Sequence, residues 1–157
     1  MSDPDRVGAR IPGPSLMRLI QQERYTEALE HFRERPQDAS YKNAAGHTAL
    51  HILCAKYDPQ PEIMLQFIGE ILSLRPELVD IPDETGWTPM HHAAYFKNDQ
   101  PLLLLIEAYP LAVSRPAPRN VGGHTSFHLC CETTGSWNAL KAMLEVDPSL
   151  ATLSDVR

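Results

Sequence analysis

Seven histidines and three cysteines are the side chains of this 157-residue chain that could bind a metal ion or act as a nucleophile. His51, His91 and His128 recur at equivalent places in three similar segments. A zinc ion needs its ligands at about 2.0–2.1 Å, whereas equivalent residues of neighbouring packed helices lie roughly 10 Å apart. We therefore expect that these three histidines do not share a metal ion, and the sequence predicts no metal site and no cofactor.

A further histidine, His92, directly follows His91, and neighbouring residues on a helix point in different directions. In the other two segments, Ile52 and Leu129 occupy the place of His92. This substitution for an aliphatic residue predicts a half-buried histidine. A pH-sensitive role in packing is the alternative, because histidine changes its charge near neutral pH.

The cysteines occupy positions where the middle segment has small residues. Cys54 and Cys131 fall at the position of Ala94, and Cys130 falls at that of Ala93. Buried thiols pack like small apolar side chains. A nucleophilic cysteine would need a histidine base and a group that orients it. Histidines lie nearby in sequence, but no acidic orienter or oxyanion loop accompanies them. We therefore expect packing thiols, no catalytic residue, and a protein that is not an enzyme.

The segments that position these residues are three copies of one pattern, which begin at Asn43, Asp83 and Asn120. After the first residue, each copy has Gly at the third position, Thr at the fifth, a large apolar residue at the seventh, His at the eighth and a small residue at the eleventh. Glycine permits a tight turn, and threonine can cap the helix that comes next. Six shared positions in three copies establish an internal repeat.

In the middle copy, the turn is followed by Thr-Pro-Met-His-His-Ala-Ala, from Thr88 to Ala94. This run resembles the ankyrin repeat, whose signature is Thr-Pro-Leu-His-x-Ala. The outer copies have Ala49 and Ser126 in place of the proline, and the resemblance covers roughly residues 15–155. It implies an all-α solenoid of stacked helix-turn-helix units with hairpin-like turn tips. It also implies that the recurrent histidine bonds to backbone in the turn.

The repeat divides the chain into units, each closed by a segment that begins with proline, which should end the preceding helix. The predicted helices span about residues 15–22, 25–33, 48–56, 61–74, 88–97, 101–108, 125–132 and 136–145. The predicted units are a disordered leader at 1–14, an N-terminal capping helix pair at 15–40, ankyrin-like repeats at 41–82, 83–119 and 120–154, and a truncated start of a further repeat at 155–157.

Composition limits the kinds of partner. A net charge of −6 and a pI near 5.6 argue against nucleic acid and anionic membranes, which bind basic surfaces. The sequence contains no apolar run long enough for a transmembrane helix. An odd number of cysteines without a regular framework favours a reducing, intracellular location, either cytoplasm or nucleus.

The resemblance implies that a protein partner, whose identity the sequence does not reveal, binds the concave face of turn tips and first helices. Aromatic residues are enriched among the binding hot spots of interfaces, and the middle copy has three of them at such positions. The alternative is that these rings pack on each other or on a loop. The predicted partner-binding residues are Trp87, Phe96, Tyr95, Glu84, Thr85, His47, Lys56, His124 and Glu132.

Two alternatives to an independent interaction scaffold remain. The chain could be the interaction segment of a larger enzyme or channel. It could also assemble with itself through an uncapped C-terminal face, because no polar capping unit follows the third repeat. We expect Trp137 or Met143 among the apolar residues of that face.

Overall fold

The computed structural model describes residues 15–59, 61–118, 122–133 and 136–152. These residues form eight α-helices and no strand, so the prediction of an all-α fold is confirmed. Every helix end lies within two residues of its predicted place. The predicted leader at 1–14 and the predicted repeat start at 155–157 lie outside the described residues. The helices are α1 (Leu16–Gln21), α2 (Tyr25–Glu34), α3 (Ala49–Ala55), α4 (Glu62–Leu74), α5 (Pro89–Tyr95), α6 (Asp99–Ala108), α7 (Ser126–Glu132) and α8 (Trp137–Val146).

The helices lie in two rows. In one row, α1 packs against α3, α3 against α5, and α5 against α7. In the other row, α2 packs against α4, α4 against α6, and α6 against α8. A single cluster of buried apolar side chains extends between the rows from Leu16 to Leu150. The turns that precede α3, α5 and α7 are therefore brought to the same edge of the molecule.

Each proline segment forms a short 3₁₀ helix, which the sequence did not predict. The proline sits in the first turn, where its fixed φ and missing N–H are tolerated. In the second of these segments, Leu78 and Val79 are buried and return the chain to the core. The four segments are Pro36–Ser40, Pro76–Asp80, Pro110–Ser114 and Pro148–Thr152.

The first two turn tips are stabilised by hydrogen bonds to their own first residue and by contact with each other. The Oδ1 atom of Asn43 accepts hydrogen bonds from the backbone N–H groups of Ala45 (2.9 Å) and His47 (3.0 Å). The next tip is joined to this one, because the N–H of Glu84 donates to the carbonyl of Ala45 at 3.1 Å. Gly46 has φ of 77°, and a Cβ there would lie 2.6 Å from the backbone nitrogen of Glu84. Only glycine fits this contact without strain.

Two of the recurrent histidines, His51 and His91, connect a helix cap to the next tip. The Nδ1 atom of His51 accepts from the N–H of Thr48 at 3.1 Å, and its Nε2 donates to the carbonyl of Trp87 at 3.1 Å. His91 makes the same cap, and its Nε2 donates to the carbonyl of His124 at 3.2 Å. The expectation that the recurrent histidine bonds to backbone is therefore confirmed. Burial lowers the pKa of both imidazoles to about 4.

Two predictions about the core are corrected. Cys54 and Cys130 are buried, as expected for packing thiols, but Cys131 is exposed, because no described helix covers the outer side of α7. Burial raises the pKa of the Cys130 thiol to about 11. On α8, Trp137 is 73% exposed, whereas Met143 faces the core and is fully buried. Of the two residues expected on the C-terminal face, only Trp137 is therefore exposed.

Candidate functional site

A cavity of about 270 Å³ opens where the middle turn tip meets α5. Five of the nine predicted binding residues line it, and Glu84 is exposed on the same tip. Two lining residues, Asp83 and His92, were not among the predicted binding residues. The lining residues are His47, Asp83, Thr85, Trp87, His92, Tyr95 and Phe96.

Three aromatic rings form the apolar side of the cavity. Tyr95 is 48% exposed and Phe96 is 51% exposed, whereas Trp87 is partly buried and packs against the core. The ring centroids of Trp87 and Tyr95 are 5.2 Å apart, as are those of Tyr95 and Phe96. The rings meet edge-on, which aromatic pairs favour. They therefore pack on each other, yet two of them keep about half of their surface accessible.

The Asp83 carboxylate forms the polar end of the cavity. Its Oδ1 accepts hydrogen bonds from the N–H of Thr85 (2.8 Å), the hydroxyl of Thr85 (2.7 Å) and the N–H of Trp87 (3.0 Å). Its Oδ2 lies 2.7 Å from Nε2 of His92 and 3.4 Å from Nε2 of His47. Burial raises the pKa of this carboxyl, but the hydrogen bonds from Thr85, His92 and Trp87 outweigh burial and hold the pKa well below its usual range.

His92 is more buried than the sequence predicted. It was expected to be half-buried, but it is only 7% exposed, because its ring packs against Trp87 and Phe96 while its Nε2 bonds to Asp83 of the middle tip. Its ring stacks on Phe96, with centroids 6.2 Å apart, and meets Trp87 edge-on at 5.5 Å. Burial lowers the pKa of His92, although the hydrogen bond with Asp83 opposes this change.

The sequence contains a signal for this pair. Only the middle copy begins with an aspartate, and only that copy has a histidine directly after the recurrent one. The outer copies have asparagine and an aliphatic residue at these places. Two polar departures from the pattern in the same copy indicate that Asp83 and His92 compensate each other.

The other predicted binding residues lie apart from the cavity. The Nζ atom of Lys56 donates to the carbonyl of Gln21 at 3.2 Å and to the carboxylate of Glu23 at 3.3 Å, so this side chain is tied to the N-terminal helix pair. On the third copy, Nδ1 of His124 lies 3.7 Å from the carboxylate of Glu132. The structure therefore divides the predicted residues into a central cavity and two separate polar contacts.

A comparison of the chain with protein-family models gives no match. Within the described residues, no helix combines the length and apolar character required to cross a lipid bilayer.

Proposed function

We propose that this protein is a non-catalytic interaction module of the ankyrin-repeat type, which binds a protein partner through its turn tips and first helices. The sequence repeat and the side-by-side packing of α3, α5 and α7 support this architecture. The observation on which the function rests is the half-exposed pair of Tyr95 and Phe96 beside the cavity. Aromatic side chains at the rim of an accessible apolar cavity are typical anchors for a partner.

Hydrogen bonds between successive tips would make this surface rigid before a partner arrives. Glu84 donates to Ala45, and His51 donates to the carbonyl of Trp87. His91 extends the same connection to the third tip. A binding surface that is already ordered loses less conformational entropy on association. The proposed mechanism is therefore rigid presentation, whether the chain acts alone or as a segment of a larger enzyme or channel.

The partner is a protein with an apolar side chain that fits the cavity. The net charge of −6 disfavours nucleic acid and anionic membranes. Glu84 is exposed on the tip beside the cavity and gives it an acidic edge. A partner segment with basic residues near its apolar anchor would be complementary to this edge.

The test is affinity capture followed by mass spectrometry, with wild-type protein compared with a Tyr95→Ala/Phe96→Ala double variant. Because both side chains are about half exposed, the double variant should keep its helical circular dichroism and lose the specific partner. A Tyr41→Ala/Tyr57→Ala variant is the matched control, since these exposed tyrosines lie outside the cavity. Equal capture by the wild type and the Tyr95→Ala/Phe96→Ala variant would remove the proposal. Sedimentation at several concentrations would show whether the captured protein is a second copy of the chain.

A further inference from the structure

Three metal-binding atoms converge at the polar end of the cavity. One ring nitrogen from each of His47 and His92 and one carboxylate oxygen of Asp83 lie within 4.8 Å of one another. His47 comes from the first turn tip, whereas Asp83 and His92 come from the second tip and from α5. This group is the only such cluster of three ligating residues among the described parts of the chain.

The Asp83 carboxylate has one oxygen, Oδ2, that is oriented to bind a metal ion. The three hydrogen bonds to Oδ1 fix the plane of the Asp83 carboxylate and leave Oδ2 facing the two imidazoles. Hydrogen-bonded carboxylates of this kind are common in metal sites, where an outer shell of donors orients the ligand. The turn that supplies these donors is rigid, because it is joined to the first tip through Glu84 and Ala45.

The charge of this carboxylate has no lysine or arginine of the described residues beside it. Within the described residues, no lysine or arginine nitrogen lies within 4.0 Å of Asp83, and its ion-pair contacts are the two imidazoles. A buried carboxylate is unfavourable unless it is paired with a positive charge. A divalent cation at Oδ2 would supply that charge.

We propose that His47, Asp83 and His92 form a three-ligand site for a zinc ion. Two imidazole nitrogens and one carboxylate oxygen match the donor set of open zinc sites, which leave a further position for water or another ligand. The tetrahedral geometry of zinc places neighbouring donor atoms about 3.3 Å apart. The His47–Asp83 distance of 3.4 Å already fits, and the His92–Asp83 distance of 2.7 Å has to lengthen slightly.

The ion would join two successive repeats and would face the cavity. His47 is partly exposed, so the site can be reached from solvent through the cavity. The sequence predicts no metal site, because the recurrent histidines His51, His91 and His128 are expected too far apart to share an ion. His47 and His92 occupy two different positions of the repeat, and stacking of the copies brings them together. This site does not depend on the proposed partner, because the ligands come from this chain alone.

The experiment is a titration of the metal-free protein with Zn²⁺ and with Co²⁺, followed by calorimetry, cobalt absorption and thermal melting. One ion should bind per chain, raise the melting temperature, and give a tetrahedral Co²⁺ spectrum without thiolate charge-transfer absorption. A Trp137→Phe background makes Trp87 the only tryptophan. Its fluorescence should be quenched by Co²⁺, because its ring lies 5.5 Å from that of His92.

Three variants remove one ligand each. Asp83→Asn keeps a turn residue that already works in the first copy, as Asn43. His92→Leu introduces the residue found at this place in the third copy. His47→Ala removes the imidazole of the third ligand. Each variant should weaken Zn²⁺ binding by at least about tenfold. If one of them fails to fold, the other two decide the outcome.

The matched control is His31→Ala. His31 Nε2 lies 2.7 Å from the carboxylate of Asp38, the same distance as in the His92–Asp83 pair, but without a second histidine in a described cluster. This variant should bind Zn²⁺ as the wild type does. Three results would overturn the proposal. The first is that Zn²⁺ binding does not saturate, and the second is that His92→Leu and Asp83→Asn bind Zn²⁺ as tightly as the wild type. The third is a Co²⁺–thiolate absorption band that disappears in Cys131→Ser. The first two results would mean that the cluster is a hydrogen-bond network only.

Discussion

His51 and His91 lie in a different environment from His47 and His92. At His51 and His91, the ring is buried and neutral, because Nδ1 must accept the hydrogen bond from the threonine N–H while Nε2 donates to the next tip. At the cavity, His47 and His92 instead share a carboxylate oxygen. The same residue type is thus part of the scaffold in one place and a candidate ligand in the other, and the neighbouring polar atoms make the difference.

The buried histidines predict a loss of stability in mild acid. The pKa of His51 and of His91 is about 4 in the folded protein, below the ordinary value of 6.5, because burial disfavours the charged ring. Below pH 6.5 the unfolded chain therefore binds more protons than the folded chain, and stability decreases as the pH falls toward 4. Between pH 7 and pH 5, each histidine should lower the free energy of unfolding by about 2 kcal/mol.

Urea denaturation monitored by circular dichroism at several pH values, with a chelator present, measures this dependence. Asp83 does not contribute in this range, since its folded pKa lies below an ordinary value that is itself close to 4. In a His91→Gln variant, the change in unfolding free energy should be smaller by about 2 kcal/mol, because His91 no longer titrates whereas His51 and His92, whose pKa burial also lowers, still do. A free energy of unfolding that stays constant from pH 7 to pH 5 would contradict the assignment of neutral, buried rings.

Replacing glycine by alanine should change the stability of the protein in opposite directions in a turn tip and in a helix. Gly46 lies in a tip, with φ of 77°, and an added Cβ would meet the backbone of the next tip at 2.6 Å. Gly46→Ala should therefore destabilise the protein by about 2–4 kcal/mol. Gly69 lies inside α4, where a Cβ would meet no heavy atom within 4 Å. Gly69→Ala should stabilise by about 0.5–1 kcal/mol.

Thermal and urea denaturation of the two variants beside the wild type provides the comparison, with each variant serving as the control for the other. If Gly46→Ala were as stable as the wild type, the two tips could not be as closely joined as the Glu84–Ala45 hydrogen bond indicates. A less stable Gly69→Ala variant would mean that α4 is covered at that point.

The helices were predictable from sequence because their signals are local. Thr48, Thr88 and Thr125 cap α3, α5 and α7 at the expected places. The 3₁₀ helices were missed, since proline indicates where a helix ends but does not determine the conformation of the residues after it. The start of α6 at Asp99 was also missed, as Pro101 is tolerated within the first helical turn.

The cavity was only partly predictable, for a different reason. Trp87, Tyr95 and Phe96, which line the cavity, were predicted as binding residues because they are apolar at positions where folding accepts polar residues, and their role in binding stays a prediction. The pairing of Asp83 with His92 was not predicted, because the turn motif alone already accounts for an aspartate at this position. The distance from His47 to Asp83 depends on how closely the first two tips pack together. The sequence of a single repeat does not determine that distance.

At the scale of the whole molecule, one apolar cluster connects all described helices. Each of α3 to α6 packs against a helix of the preceding copy or capping pair and a helix of the following copy. Asn98 adds a polar connection, since its Nδ2 donates to the carbonyl of Cys54 at 3.1 Å and also to that of Lys56. A stack of packed units unfolds as one when the interfaces between neighbours are strong relative to the stability of a single unit.

A single cooperative unfolding transition is therefore expected, and the two tryptophans can test it in separate parts of the chain. Trp87 lies in the middle copy and Trp137 begins α8. In Trp137→Phe and Trp87→Phe variants, the remaining tryptophan reports on its own region. Because the buried cluster is continuous from Leu16 to Leu150, the urea midpoint from fluorescence should match that from helical circular dichroism in each variant. An earlier midpoint for Trp137 alone would mean that α7 and α8 unfold before the rest, so that the interface between α6 and α8 is weaker than that between α4 and α6.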